Sequence, residues 1–147
     1  MDQKRTALHR PEDLASVMIR HLMKDGSRTH ARRLLTLALA EVSRTVRRKA
    51  PVDILMTAIN NAAPVMEVAT RYAKDGTYQV PVRADSRVAK GVRAILKHAR
   101  RESGRLTVQS LAEALLTAYQ GEIPRPDQPR GTARMSALRM YRSAEER

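Results

Sequence analysis

The chain contains no cysteine, no tryptophan and no phenylalanine, and four tyrosines are its whole aromatic content. Without cysteine there is no disulfide, no thiolate zinc site and no cysteine nucleophile, and the redox compartment is left open. So few rings leave little on which to stack single-stranded bases. No apolar run reaches the length needed to span a bilayer, and the opening residues MDQKRTALHR lack the apolar centre of a secretion signal. No membrane partner is expected. Gly26 and Gly76 are lone turn glycines, so there is no phosphate-cradling glycine loop.

What the chain has in excess is positive charge. Lys and Arg number 28 against 15 acids in 147 residues, a net charge of +13 and a pI of about 11.1. An imbalance of that size points to a polyanion, and to nucleic acid ahead of a membrane surface or an acidic protein. The length suits one domain with a single modest core, built from Leu, Ile, Val, Ala and seven Met.

Hydrophobic periodicity sets the organisation. Residues 1–10 are polar and basic without a period, which predicts a short flexible arm ahead of a single helical domain over 11–147. Pro11 opens a first helix with Leu14, Val17, Met18 and Leu22 on one face, ending at the Lys24-Asp25-Gly26 corner. Ser27 or Thr29 caps a second, running to about Arg48, with Leu34, Leu35, Ala38, Val42 and also Leu37 on its buried stripe. Pro51 opens a third with Ile54, Leu55, Ala58, Ile59 and Ala62 inward, closed before Pro64. Asp85 or Ser86 caps a fourth, carrying Val88, Val92, Ile95, Leu96 and Ala99 and ending around Gly104. Thr107 caps a fifth, with Val108, Leu111, Ala112, Leu115 and Ala118, ending near Tyr119 and Gly121. After the extended loop EIPRPDQPRG, Thr132 starts a sixth.

Between the third and fourth helices the period changes to two. Met66, Val68, Thr70 and Tyr72 alternate with Glu67, Ala69, Arg71 and Ala73, Lys74-Asp75-Gly76 supplies a turn, and Thr77 to Val82 forms the return strand. Pro81 keeps this ribbon out of any larger sheet. The predicted fold is mainly α: a six-helix single domain with a protruding two-stranded β-hairpin over 65–83, between helices three and four.

Catalysis finds no support. His9, His21, His30 and His98 lie in four separate contexts, none at the i, i+4 spacing of a helical metal pair, and the acids Glu41, Asp53, Glu67 and Glu113 are scattered. No catalytic residue, metal or cofactor is expected. Arg28, Arg32 and Arg33 crowd the start of the second helix, where they oppose the helix dipole, so phosphate contact explains them better than dipole complementarity. Lys97, Arg100, Arg101 and Arg105 form a second patch closing the fourth helix. A helix-turn-helix DNA binder, turning at Lys24-Asp25-Gly26, is the alternative reading. Against it, basic residues recur at helix ends, on the ribbon and in the last loop, a dispersion suited to folded RNA.

Specific segments sharpen this. LMKDG at 22–26, PVMEV at 64–68, TYQVPV at 77–82 and Arg134-Met135 resemble the small-subunit ribosomal protein seven family, and the resemblance runs from about Leu14 to Tyr141. It implies a structural, non-enzymatic protein that binds the 3′ major domain of small-subunit ribosomal RNA and nucleates assembly of the subunit head. It implies a ribbon near exit-site tRNA and mRNA, with the platform protein eleven and the head protein nine as neighbours. Carried onto this chain, the RNA-binding set is Lys24, Arg28, Arg32, Arg71, Lys74, Tyr78, Arg83, Lys97, Arg100, Arg101, Arg105, Arg130 and Arg134. The chain departs from the family at three places. The ribbon tip reads AKDG where small residues are usual; the loop before Arg134 has Arg125 and Arg130 in place of a lysine-rich run; the basic N-terminal arm is short. These departures suggest an organellar, mitochondrial version, with bacterial cytoplasm or plastid as alternatives.

Overall fold

A computed structural model of the chain describes residues 11–70 and 77–125. The described residues form five helices and one hairpin: α1 (Pro11–Leu22), α2 (Arg28–Thr45), α3 (Pro51–Ala62), β1 (Met66–Thr70), β2 (Thr77–Pro81), α4 (Ala84–Ser103) and α5 (Val108–Gln120). The sixth helix expected from Thr132, the arm over 1–10 and the Lys74-Asp75-Gly76 turn lie outside the described residues.

Helix boundaries follow local chemistry. Pro occupies the first position of α1 and of α3, where its missing N–H removes no helical bond. After α1 the chain turns through two left-handed residues, Asp25 at φ 53° and Gly26 at φ 77°; Asp is among the few side chains that tolerate this region. Gly104 (φ 65°) and Gly121 (φ 78°) close α4 and α5 in the same left-handed conformation. Thr107 caps α5 as expected. Its hydroxyl accepts from Ser110 N at 3.2 Å, while Ser110 Oγ accepts from Thr107 N at 2.8 Å, a reciprocal pair.

Three expectations need correction. α2 stops at Thr45, short of Arg48, where the adjacent β-branched residues Thr45 and Val46 weaken the helix and Val46 takes a non-helical ψ of 77°. α4 begins at Ala84 with Arg83 in the cap position, so Asp85 and Ser86 lie inside its first turn; the Arg83 carbonyl already accepts from Ser86 N and Arg87 N. Leu37 is 47% exposed, because the buried stripe of α2 is the narrow run Ala31, Leu35, Ala38 and Val42. Two residues past Leu35 is about 200° around the helix, away from the core.

α5 is the inner helix, packed on α2, α3 and α4, and α1 lies across α2, α3 and α4. The largest fully buried side chains are Met18, Ile54, Leu55, Ile59, Val92, Ile95, Leu111 and Leu115. With no aromatic ring among them, small residues let the helices approach closely, above all where Gly91 of α4 meets α3. The hairpin is antiparallel, with Met66 opposite Pro81 and Thr70 opposite Thr77. Val82 N donates to Val65 O at 2.9 Å and closes its base. Glu67 pairs with Lys90, tying that base to α4. Pro81 sits in the last rung of a two-stranded ribbon, where its missing donor interrupts no ladder.

Candidate nucleic-acid interface

One face of α4 carries Lys90, Arg93, Lys97 and Arg101. Steps of three and four residues stack these side chains along about three helical turns. Facing them is the strap that leaves α5, Ile123-Pro124-Arg125, and with Pro64 and His98 they line a groove of about 510 Å³. The strap is held firmly: Ile123 is buried, the Arg125 Nε donates to the Asn61 carbonyl, and Asn61 Nδ2 donates to the Tyr119 carbonyl at 3.0 Å. Lys49 lies 5.4 Å above the Tyr119 ring, a cation–π contact on the same support.

Most of the charge in this groove is uncompensated. Among the described residues the ion pairs are Arg44 with Glu41 and Lys90 with Glu67, so no described carboxylate pairs with Arg93, Lys97 or Arg101. Like charges at these spacings on one helix repel one another weakly in water, and an anion between them relieves that repulsion. One turn before Lys90 on the same helix, Arg87 has a buried Nε with no acceptor among the described residues. His21, in the last turn of α1, reports the same field. Burial, then the nearby Arg93 and Arg20, hold its imidazole below the ordinary 6.5.

The expected site residues separate into groups. Lys97 and Arg101 line the groove, whereas Arg100 and Arg105 are exposed outside it. Arg83 is exposed at the junction of ribbon and α4. Lys24, Arg28 and Arg32 are exposed at the α1–α2 corner, where no acid stands in the first turn of α2 and no side chain caps it. Tyr78 lies in β2 opposite Ala69. Arg71, Lys74, Arg130 and Arg134 lie outside the described residues. Lys90, Arg93 and His98 join the site without being singled out by the sequence reading, although the 90-93-97-101 spacing is readable as one helical stripe. Arg125, expected only as a stand-in for loop lysines, joins the groove through tertiary packing that no local pattern encodes.

Among the described residues no group of His, Asp or Glu could hold a metal ion, and no helix is long and apolar enough to cross a membrane. The arrangement can bind anions through several points at once.

Known proteins resemble this chain over most of its length. A model of the family described as ribosomal protein S7p/S5e matches residues 2–144. The small ribosomal subunit protein uS7 of Salinibacter ruber is 32% identical, over 76% of this chain and 72% of the relative. The uS7c protein of Paulinella chromatophora is 34% identical, over 79% and 77%. The uS7 protein of Kosmotoga olearia is 36% identical, over 74% and 70%. These relatives are of bacterial and plastid type and give the mitochondrial expectation no support.

Proposed function

The chain belongs to the ribosomal protein S7p/S5e family, and from that premise we propose that it is a primary binder of the 3′ major domain of small-subunit ribosomal RNA, where it nucleates head assembly. It is a structural, non-enzymatic component of the small ribosomal subunit. The observation that carries the RNA reading is the stripe of cations on α4, Arg93, Lys97 and Arg101, which pair with no described carboxylate and face Arg125 across one groove. Phosphates that displace condensed counterions there supply affinity without any base code, and the helical body sets the spacing of the RNA segments it clamps. In this reading residues 11–147 act as one domain preceded by a basic arm, and the corner cations Lys24, Arg28 and Arg32 meet a second RNA segment. Arg83, Tyr78, Arg71 and Lys74 follow the ribbon toward exit-site tRNA and mRNA, beside the platform protein eleven and the head protein nine. Arg130 and Arg134 extend the contact from the final loop.

A binding competition tests the proposal. The purified chain should prefer a 3′ major domain transcript over a 5′ domain transcript and over duplex DNA; preference for the DNA would return the helix-turn-helix alternative. The ribbon is tested separately. The chain has no cysteine, so Lys74→Cys provides a unique attachment point for a cleavage reagent. Cuts around the exit site support the placement, and cuts confined to other regions of the RNA reject it.

A further inference from the structure

The groove beside α4 has more character than a charged clamp requires. Phosphates on the outside of a duplex need only exposed cations, yet the groove is recessed and its walls include Pro64, Ala94, Ile123 and Pro124. Its volume of about 510 Å³ falls in the range of sites that enclose a small molecule, about 300–1,000 Å³. Apolar walls with a cationic edge match a ligand that has an apolar face and an anionic tail. A nucleotide is such a ligand, but only when its base is out of the stack, since inside a helix stacking covers both faces of a base and pairing covers its Watson–Crick edge. Among the described lining residues His98 is the one able both to donate and to accept, as a base edge requires.

We infer that this groove takes one unpaired nucleotide of the bound RNA, its base against the aliphatic walls and its phosphates on Arg93, Lys97 and Arg101. The inference rests on the reading of the chain as an RNA binder and adds what that site selects. Among the described residues no tyrosine lines the groove, so the base is held mainly by aliphatic contact and its identity matters little. The strap is already anchored through Arg125 and Asn61, so little ordering opposes entry. The chain's own residues 126–147 are the competing occupant, but they carry five Arg against three acids. Their net positive charge is repelled by the same cations that attract a phosphate.

The test uses the full chain and two RNA stems that differ only in a single bulged nucleotide, 2-aminopurine, whose fluorescence reports its stacking. The bulged stem should bind about tenfold more tightly, equivalent to about 1.4 kcal/mol, with a fluorescence change on binding. Ala94→Leu fills the groove without altering charge. It should bring the two stems to within about twofold of each other by weakening the bulged stem the more. Equal affinity of the unaltered protein for both stems would overturn the inference, with the ribosomal RNA reading intact. So would a preference that survives Ala94→Leu in a variant with the normal melting curve. Failure to bind a 3′ major domain transcript at all would instead remove the RNA reading, and this inference with it.

Discussion

Gly91 of α4 passes the carbonyl of Ile59 in α3 with no room for a side chain. A β-carbon at Gly91 would lie 2.8 Å from that oxygen and 3.2 Å from the Ala63 β-carbon. The nearer obstacle is backbone and cannot swing aside. Gly91→Ala would gain about 0.8–1 kcal/mol of helix propensity, but overpacking a tight crossing costs about 1–3 kcal/mol. A net loss of about 1 kcal/mol is expected, seen as a lower urea midpoint with an unchanged slope. An alanine variant as stable as the parent would mean that α3 and α4 separate more easily than this contact implies.

The start of α5 offers a second measurement. Ser110 is buried and bonded reciprocally to Thr107, so removing either hydroxyl leaves a backbone N–H without its acceptor. Thr107→Ala and Ser110→Ala should each cost about 0.5–2 kcal/mol. Because the Thr107 hydroxyl also donates to Ser110 Oγ at 3.2 Å, a bond that either substitution removes, the double variant should cost less than the sum. Simple additivity in a double-mutant cycle would show that the two bonds act independently.

How much of this is legible in the sequence depends on whether a feature is local. Proline at the start of α3, Thr107 at the cap of α5 and glycine after α4 are decided by neighbouring backbone, and the structure has each where the sequence puts it. The same holds for the five inward residues of α3, whose 3.6-residue period is undisturbed. The cap of α4 misleads because Asp85 and Ser86 are good capping residues, but the chain leaving the ribbon at Val82 enters the helix before reaching them. The groove is half legible. Lys97 and Arg101 are visible as part of a basic cluster, while the wall opposite them depends on Asn61 meeting Arg125 across 64 residues of sequence. Adjacency groups Arg100 with Arg101, although neighbours on a helix point about 100° apart.

His21 makes stability depend on pH in a definite direction. Its folded-state value is held below 6.5 by burial and by Arg93 and Arg20, so the unfolded chain takes up a proton there first. Stability is therefore full above 6.5, declines as pH falls from 6.5 to the lower folded value, and levels off beneath it. His21→Gln removes this component. Urea midpoints of the variant should fall less than those of the parent between about pH 7.5 and about pH 5, while the remaining histidines and carboxylates titrate in both proteins and cancel in the difference. Parallel pH profiles would show that His21 is not responsible.

Adjacent arginines on α4 separate the groove from the wider basic patch. Each phosphate that a substitution leaves without its cation should flatten the slope of log affinity against log salt by about 0.7–0.9. If RNA is held in the groove, Arg101→Gln and Lys97→Gln should each flatten it by that amount on a 3′ major domain transcript, and together by about 1.5. Arg100→Gln, one residue away but outside the groove lining, should leave the slope close to that of the parent. Arg44→Gln serves as a second reference, since Arg44 already pairs with Glu41 at 3.1 Å. Equal effects at Arg100 and Arg101 would mean that RNA lies across the whole end of α4 as on a flat charged surface. An effect confined to Lys97 and Arg101 would place the phosphates along the stripe that faces Arg125, where cations from two separate elements line one groove.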